Sequence, residues 1–210
     1  IENNVDFIAH SFVRNKKDVK EIQDILDAHN SPIKIIAKIE NQEGVDNLDE
    51  ILEVVYGVMV ARGDLGIEVP FERIPLIQRQ MIRKCVEAKR PVIVATQMLH
   101  SMIKNPSPTR AEVTDIANAI YYRTDAIMLS GETTYGKYPV EAVQAMTKIA
   151  KEVEAAKDSR NDIPVPSTKG EITTYLAETA VGASRELPIK AILTDSFTGK
   201  TARYIAAFRS

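Results

Sequence analysis

Lys38, Glu40 and Asp64 are charged residues that follow two short apolar runs of the sequence. Residues 35–37 lead into Lys38 and Glu40, and residues 58–60 lead towards Asp64. Side chains two positions apart on a strand point to the same face, so Lys38 and Glu40 share one site. Carboxylates at adjacent strand ends are hard oxygen ligands that suit Mg²⁺, which keeps its other positions for waters or substrate oxygens. The sequence therefore predicts a cation site at Glu40 and Asp64, with a lysine beside it.

Gly63 and Gly66 flank Asp64 and allow the backbone to approach a ligand closely. Exposed N–H groups in such a segment can bind an anion. Two alternatives remain open, namely an ordinary turn at residues 62–64 and a structural ion pair between Lys38 and Glu40. The two carboxylates together favour the metal site.

Hydroxyl groups and a further carboxylate follow the next two apolar runs. Thr96 comes after residues 91–95, and Ser130 and Glu132 come after residues 126–129. Such groups could donate or accept protons, or bind waters, at the rim that the carboxyl ends of the parallel strands form. Serine and threonine at strand ends also cap the following helix, so both interpretations stay open for Ser130.

The elements that position these residues alternate between short β-branched runs and longer segments of helical period, which predicts parallel strands with crossover helices. The predicted strands are residues 5–9, 33–39, 57–61, 91–95, 126–129 and 191–194. Four predicted helices cover residues 17–29, 44–55, 139–156 and 171–186. Two more are predicted, one that follows a capping box at Thr109 and Glu112 and one that begins with residues 196–201. Five strands precede a polar, proline-bearing break near residue 157, which predicts part of an eight-stranded (β/α)8 TIM barrel of typically about 250 residues. A small open doubly wound sheet is the alternative.

Composition excludes several classes of function. The 210 residues carry 27 Lys and Arg against 29 Asp and Glu, a net charge of -2, so no basic surface for nucleic acid is expected. No apolar run approaches the roughly 20 residues that span a bilayer, so no membrane partner is expected either. A single cysteine, Cys85, and no signal-like start predict a reducing, cytoplasmic setting. The sequence also lacks a Walker-type loop, a Gly-x-Ser-x-Gly elbow and a dinucleotide fingerprint.

Read in order, the strand-end segments closely resemble the pyruvate kinase family. The segments are residues 6–14 (DFIAHSFVR), 38–41 (KIEN), 61–66 (ARGDLG), 95–99 (ATQML) and 128–133 (MLSGET). Between the last two, residues 106–113 (PSPTRAEV) match the family's entry into the next helix. The resemblance implies that residues 1–157 are the second half of the catalytic barrel, 158–170 a linker, and 171–210 the beginning of a carboxyl-terminal α/β regulatory domain. It also implies a homotetramer when the protein is complete.

The resemblance implies phosphoryl transfer from phosphoenolpyruvate to ADP, giving pyruvate and ATP in glycolysis. Glu40 and Asp64 would ligate Mg²⁺ or Mn²⁺, and Lys38 would stabilise the charge of the migrating phosphoryl group and the enolate. The Gly63 and Asp64 amides would hold the substrate carboxylate, with Thr96 also in contact with substrate. The family's K⁺ ligands, a phosphate-binding arginine and the lid domain lie upstream of this chain, so we expect little or no turnover from it alone.

Two further sets of residues follow from the resemblance. Ser130 and Glu132 are expected in the proton-delivery network. Residues 196–201 resemble a loop that grips the phosphate of a sugar-phosphate activator in some members, with a plain helix-capping role as the alternative. The residues concerned are Ser196, Thr198, Lys200 and Thr201.

Two other functions remain as alternatives. A metal-dependent aldolase or lyase acting on pyruvate would place the same carboxylate pair beside an enolate. A non-catalytic regulatory module would tolerate loss of Lys38. ADP-dependent pyruvate formation separates the kinase from both.

Overall fold

A computed structural model describes residues 1–156 and 171–208. Its strands are β1 (Phe7–His10), β2 (Lys34–Ile39), β3 (Gly57–Ala61), β4 (Val92–Ala95) and β5 (Ala126–Met128). They form one parallel sheet in the sequential order β1-β2-β3-β4-β5. This arrangement confirms the predicted α/β class, because parallel neighbours in chain order require a crossover after each strand.

The crossovers and the second part of the chain are helical. The helices are α1 (Lys16–Ala28), α2 (Gln42–Asp46), α3 (Leu48–Val54), α4 (Arg62–Glu68), α5 (Ile74–Glu87), α6 (Arg110–Tyr121), α7 (Gly131–Thr134), α8 (Pro139–Ala156), α9 (Ile172–Glu186) and α10 (Lys200–Phe208). Short 3-10 turns occupy Phe71–Arg73 and His100–Ile103. Among the described residues, no helix is both long and apolar enough to cross a membrane.

Local side-chain chemistry sets the helix boundaries. The capping box before α6 is confirmed, because Thr109 Oγ1 accepts from Glu112 N and the Glu112 carboxylate accepts from Thr109 N. The single helix predicted over residues 44–55 is wrong. The chain breaks at Asn47, whose amide group donates to the Arg14 carbonyl oxygen at 3.0 Å, so α2 and α3 are separate.

The core lies between the sheet and its helices. Every residue of β3 is buried, and the helices cover it with fully buried side chains such as Ile51 and Ile82. The strand β1 lies at one edge of the sheet, where Phe7 is 52% exposed. The central strands β2 to β4 therefore form the rigid part that positions the residues at their carboxyl ends.

The chain divides into two compact units, Ile1–Lys157 and Asp158–Ser210. In the second, α9 and α10 pack through Ala177, Val181 and Phe208. The strand predicted at residues 191–194 is wrong: these residues form no ladder, and Leu193 is 94% exposed. A strand needs a neighbour, and the described part of this unit offers none. The predicted linker at 158–170 lies outside the described residues.

Replacing Gly44 by alanine is expected to lower the free energy of unfolding by about 1–3 kcal/mol. Gly44 is buried in α2, and an added Cβ would overlap the Val13 carbonyl oxygen, which is backbone and cannot turn away. Gly66→Ala on α4 is the matched control, because a Cβ there meets nothing within 4 Å. Urea unfolding should find the control neutral or stabilised by up to about 1 kcal/mol. Equal losses for both variants would contradict the prediction.

Candidate active site

The carboxyl ends of β2 and β3 bring together the three charged residues that the sequence singles out. The ladder pairs Lys38 with Met59, so the end of β2 runs alongside the end of β3. Helix α4 begins at Arg62, directly after β3, and places Asp64 in its first turn. Residues 62–64 are therefore the start of a helix, and the alternative of an ordinary turn is wrong.

Lys38 and Glu40 form a close ion pair. Lys38 Nζ lies 2.7 Å from Glu40 Oε1 and donates to Ser11 Oγ at 3.0 Å. Glu40 is 1% exposed, and its Oε2 accepts from the Phe12 amide at 2.7 Å. The ammonium group is thus held at the rim by a buried carboxylate that is itself fixed to backbone.

Asp64 faces the same buried carboxylate. Burial, followed by a hydrogen bond and charge repulsion from Glu40, raises the pKa of Asp64, while the positive charge of Lys38 acts in the opposite direction. The raised pKa of Asp64 means that a proton or a cation between Asp64 and Glu40 is favoured. Lys38 supplies part of that positive charge.

The residues present fit a divalent cation. Glu40 Oε1 is buried, and its charge is met by Lys38 Nζ at 2.7 Å without a hydrogen bond of standard geometry. A buried carboxylate oxygen with a single lysine as its charge partner, next to a second carboxylate, suits a hard cation. No group of three or more His, Cys, Asp or Glu suited to a metal occurs in the described part of the chain. A cation here would therefore take two protein ligands, Glu40 and Asp64, and fill its shell with waters or substrate oxygens.

Thr96 and Gly63 also meet, across the ends of β3 and β4. Gly63 N donates to Thr96 Oγ1 at 2.8 Å, and Thr96 Oγ1 donates to the Ala95 carbonyl oxygen at 2.6 Å. The Gly63 amide, which the sequence predicts to donate a hydrogen bond to an anion, thus donates to the Thr96 hydroxyl, which is predicted to contact substrate. Gly63 and Thr96 therefore form one wall of the site at this rim, and Asp64 follows Gly63 in the sequence.

Glu132 holds two strand-end segments together. It is 2% exposed; its Oε1 accepts from Leu99 N at 3.1 Å and its Oε2 accepts from Ser130 N at 2.9 Å. Both oxygens are therefore engaged by backbone amides. Ser130 precedes α7 but makes no side-chain cap hydrogen bond, so the alternative of a capping serine is wrong.

Sequence reasoning missed Arg62. Its side chain is 8% exposed and lies between Asp115 on α6 and the segment after β4. The available signal was a cation immediately after a strand that is apolar at every position. A charged group at that position must either face the rim or be paired inside the fold.

The predicted phosphate loop lies before α10 in the second unit. Lys200 is the first residue of that helix; its Nζ lies 3.7 Å from Glu171 Oε1 and 5.2 Å from the centre of the Tyr204 ring. The Thr198 carbonyl oxygen accepts from Arg203 Nη1 at 3.2 Å. The charge of Lys200 is therefore partly neutralised by Glu171. Ser196 and Thr201 are half-buried.

Comparison with known proteins shows what the chain is similar to. The family described as "Pyruvate kinase, barrel domain" matches residues 1–143. Pyruvate kinase from Borreliella burgdorferi is 56% identical over 209 residues, covering 99% of this chain and 44% of the relative. The enzyme from Bacillus licheniformis is 53% identical over 212 residues, covering 100% and 36%.

A solved structure agrees. The crystal structure of a pyruvate kinase from Cryptosporidium parvum superposes with a TM-score of 0.91 at 44% identity, covering 99% of this chain and 44% of that one. The chain thus spans less than half the length of these relatives, and its five strands are part of a barrel. Because the likeness extends over nearly all of its sequence and its fold, the chain belongs to the pyruvate kinase family.

Proposed function

We propose that this chain carries the metal-binding and enolate-stabilising part of a site that transfers a phosphoryl group from phosphoenolpyruvate to ADP, giving pyruvate and ATP. The observation that carries the proposal is the cluster of Lys38, Glu40 and Asp64 at adjacent strand ends. Phosphoryl transfer needs positioning and neutralisation of oxygen charge more than covalent help from the protein. The cluster offers both.

Lys38 acts as the fixed positive charge. Its ammonium group is held by Glu40 at 2.7 Å and by Ser11 at 3.0 Å, so its position is set before substrate arrives. A fixed cation stabilises developing oxygen charge without reorganising during the reaction. Mg²⁺ or Mn²⁺, held by Glu40 and Asp64, would supply Lewis-acid neutralisation of substrate oxygens.

Gly63, Asp64 and Thr96 orient the substrate. The Gly63 N–H already donates to an oxygen at 2.8 Å, so a substrate carboxylate can share or replace the Thr96 hydroxyl there. The Asp64 amide is the second proposed donor. Ser130 is the proposed group for proton delivery, and Glu132 fixes the Ser130 backbone.

The remaining assignments follow the family. We propose Mg²⁺-dependent activity with K⁺ ligands supplied by upstream strands, a homotetramer, and a role in cytoplasmic glycolysis. Residues 1–157 would be barrel, 158–170 linker and 171–210 the start of a regulatory domain, an assignment supported by the barrel match over residues 1–143. Residues 196–201 would bind an effector phosphate once Glu171 releases Lys200.

The test compares two proteins in a coupled assay for pyruvate. One is the 210-residue chain alone; the other joins it to the upstream and downstream segments of the Borreliella burgdorferi relative, which is 56% identical. The joined protein should form pyruvate from phosphoenolpyruvate only with ADP and Mg²⁺, and the chain alone should show little or no turnover. Robust turnover by the chain alone would refute the need for the missing strands. Pyruvate formation that does not depend on ADP would refute the kinase assignment.

A further inference from the structure

Arg62 is a buried cation that the proposed chemistry does not use. Its Nη1 lies 2.6 Å from Asp115 Oδ2 and donates to Gln78 Oε1 at 3.3 Å. Its Nη2 donates to the Thr96 carbonyl oxygen at 2.6 Å and lies 2.8 Å from Met98 Sδ. One guanidinium therefore joins the start of α4 to α5, to α6 and to the segment that follows β4.

The burial of Arg62 is incompletely compensated. Its Nε is buried and makes no hydrogen bond. Buried charges with unsatisfied donors are poor contributors to stability compared with an apolar group of similar size. The contacts made by the two terminal nitrogens are therefore the feature that needs explanation.

The backbone that Arg62 holds is strained. Thr96 has φ +69° and Gln97 has φ +57°, two successive non-glycine residues in the left-handed region. For a β-branched residue such as Thr96 this conformation is a genuine outlier. Conformations of this kind persist only where surrounding contacts over-determine them, and they cluster at functional sites.

We propose that Arg62 is a positioning residue for the substrate-binding wall. By holding the Thr96 carbonyl oxygen, it keeps Thr96 left-handed and thereby directs Thr96 Oγ1 to the Gly63 N–H at 2.8 Å. Arg62 thus acts through Thr96 on the amide next to Asp64. The contacts stand by themselves, while the consequence for ligand binding rests on the proposed function.

The geometry requires a guanidinium. Its two terminal nitrogens address Asp115 in one direction and Thr96 in another, and a planar fork keeps these directions fixed. A lysine ammonium would retain the positive charge but not both directions. Arg62→Lys therefore separates charge from geometry.

The test measures amide hydrogen exchange by NMR in the 210-residue chain. In Arg62→Lys, exchange of the Gly63 amide should accelerate at least tenfold relative to Val60 in β3, which reports overall stability. The Thr96 carbon shifts should also move away from left-handed values. Asp115→Asn is the control, because it removes the charged partner of Arg62 and leaves the contact between Arg62 and Thr96 in place. In this variant the ratio of the Gly63 and Val60 exchange rates should change less than twofold.

A rescue variant isolates the backbone. Gln97 is exposed and has a positive φ, so Gln97→Gly relieves strain without removing a buried contact. Added to Arg62→Lys, it should restore much of the Gly63 protection. Exchange at Gly63 that changes only in step with Val60, or no rescue, would overturn the proposal and leave Arg62 a general stabiliser.

Oxalate binding in the presence of Mg²⁺ gives the functional arm. Oxalate resembles the enolate of pyruvate, and Arg62→Lys should weaken its binding about tenfold through the misplaced Gly63 and Thr96 groups. A wild-type chain that binds no oxalate would count against the proposed function, while the exchange ratios would still decide the role of Arg62. Normal oxalate affinity in a variant with a disturbed Gly63 amide would overturn the link from this wall to the ligand.

Discussion

Mg²⁺-dependent binding of oxalate is expected to fall about a hundredfold or more when Glu40 is replaced by glutamine or Asp64 by asparagine. Each change keeps the shape of the side chain and removes one of the two anionic ligands. A cation that has only two protein ligands cannot compensate from a third carboxylate, since no larger cluster exists among the described residues. Calorimetry on the 210-residue chain, with and without Mg²⁺, measures the loss.

Glu68→Gln is the matched control for this experiment. Glu68 lies on α4, as Asp64 does, but it is exposed, and its Oε2 accepts from Gln42 N at 3.4 Å. It should bind oxalate as the wild type does. Asp64→Asn should also leave the free energy of unfolding unchanged or raise it by up to about 1 kcal/mol, because it relieves repulsion with Glu40. Undiminished Mg²⁺-dependent binding in both site variants would place the metal elsewhere.

The sequence alone was sufficient to predict the features that depend on the local periodicity of apolar and polar residues. Five of the six predicted strands are present, with bounds that differ by no more than two residues. The two-residue period on β2 also predicted that Lys38 and Glu40 share a face, and their side chains form an ion pair. Asp64 joins them because parallel strands end at the same edge of the sheet.

The features that the sequence could not predict depend on contacts between distant residues. Arg62 pairs with Asp115, which is 53 positions away, and Glu132 accepts from Leu99, which is 33 positions away. The left-handed conformation of Thr96 goes against its intrinsic preference and is imposed by such contacts. The strand predicted at residues 191–194 is absent for the opposite reason: the residues favour a strand, but the described part of their unit contains no strand with which they could pair.

Replacing Lys38 by methionine is expected to lower kcat for pyruvate formation about a thousandfold in the joined protein. The charge of Lys38 counts most when oxygen charge develops, so KM for phosphoenolpyruvate should change much less than kcat. Lys38→Arg should restore little, because the guanidinium cannot occupy the compact position that the ammonium holds between Glu40 and Ser11. Steady-state kinetics at saturating ADP and Mg²⁺ measures the division between kcat and KM.

Lys34→Met separates this effect from a general loss of positive charge on β2. Lys34 lies at the amino end of the same strand and is exposed, so its removal should leave kcat within about twofold of wild type. Retention of Mg²⁺-dependent oxalate binding by Lys38→Met would show that Glu40 and Asp64 remain in place without the lysine. A loss confined to KM would instead mean that Lys38 binds ground-state substrate and transition state equally, which contradicts its proposed role in stabilising developing charge. The kinetic division therefore distinguishes a catalytic lysine from one that only helps to fill the site.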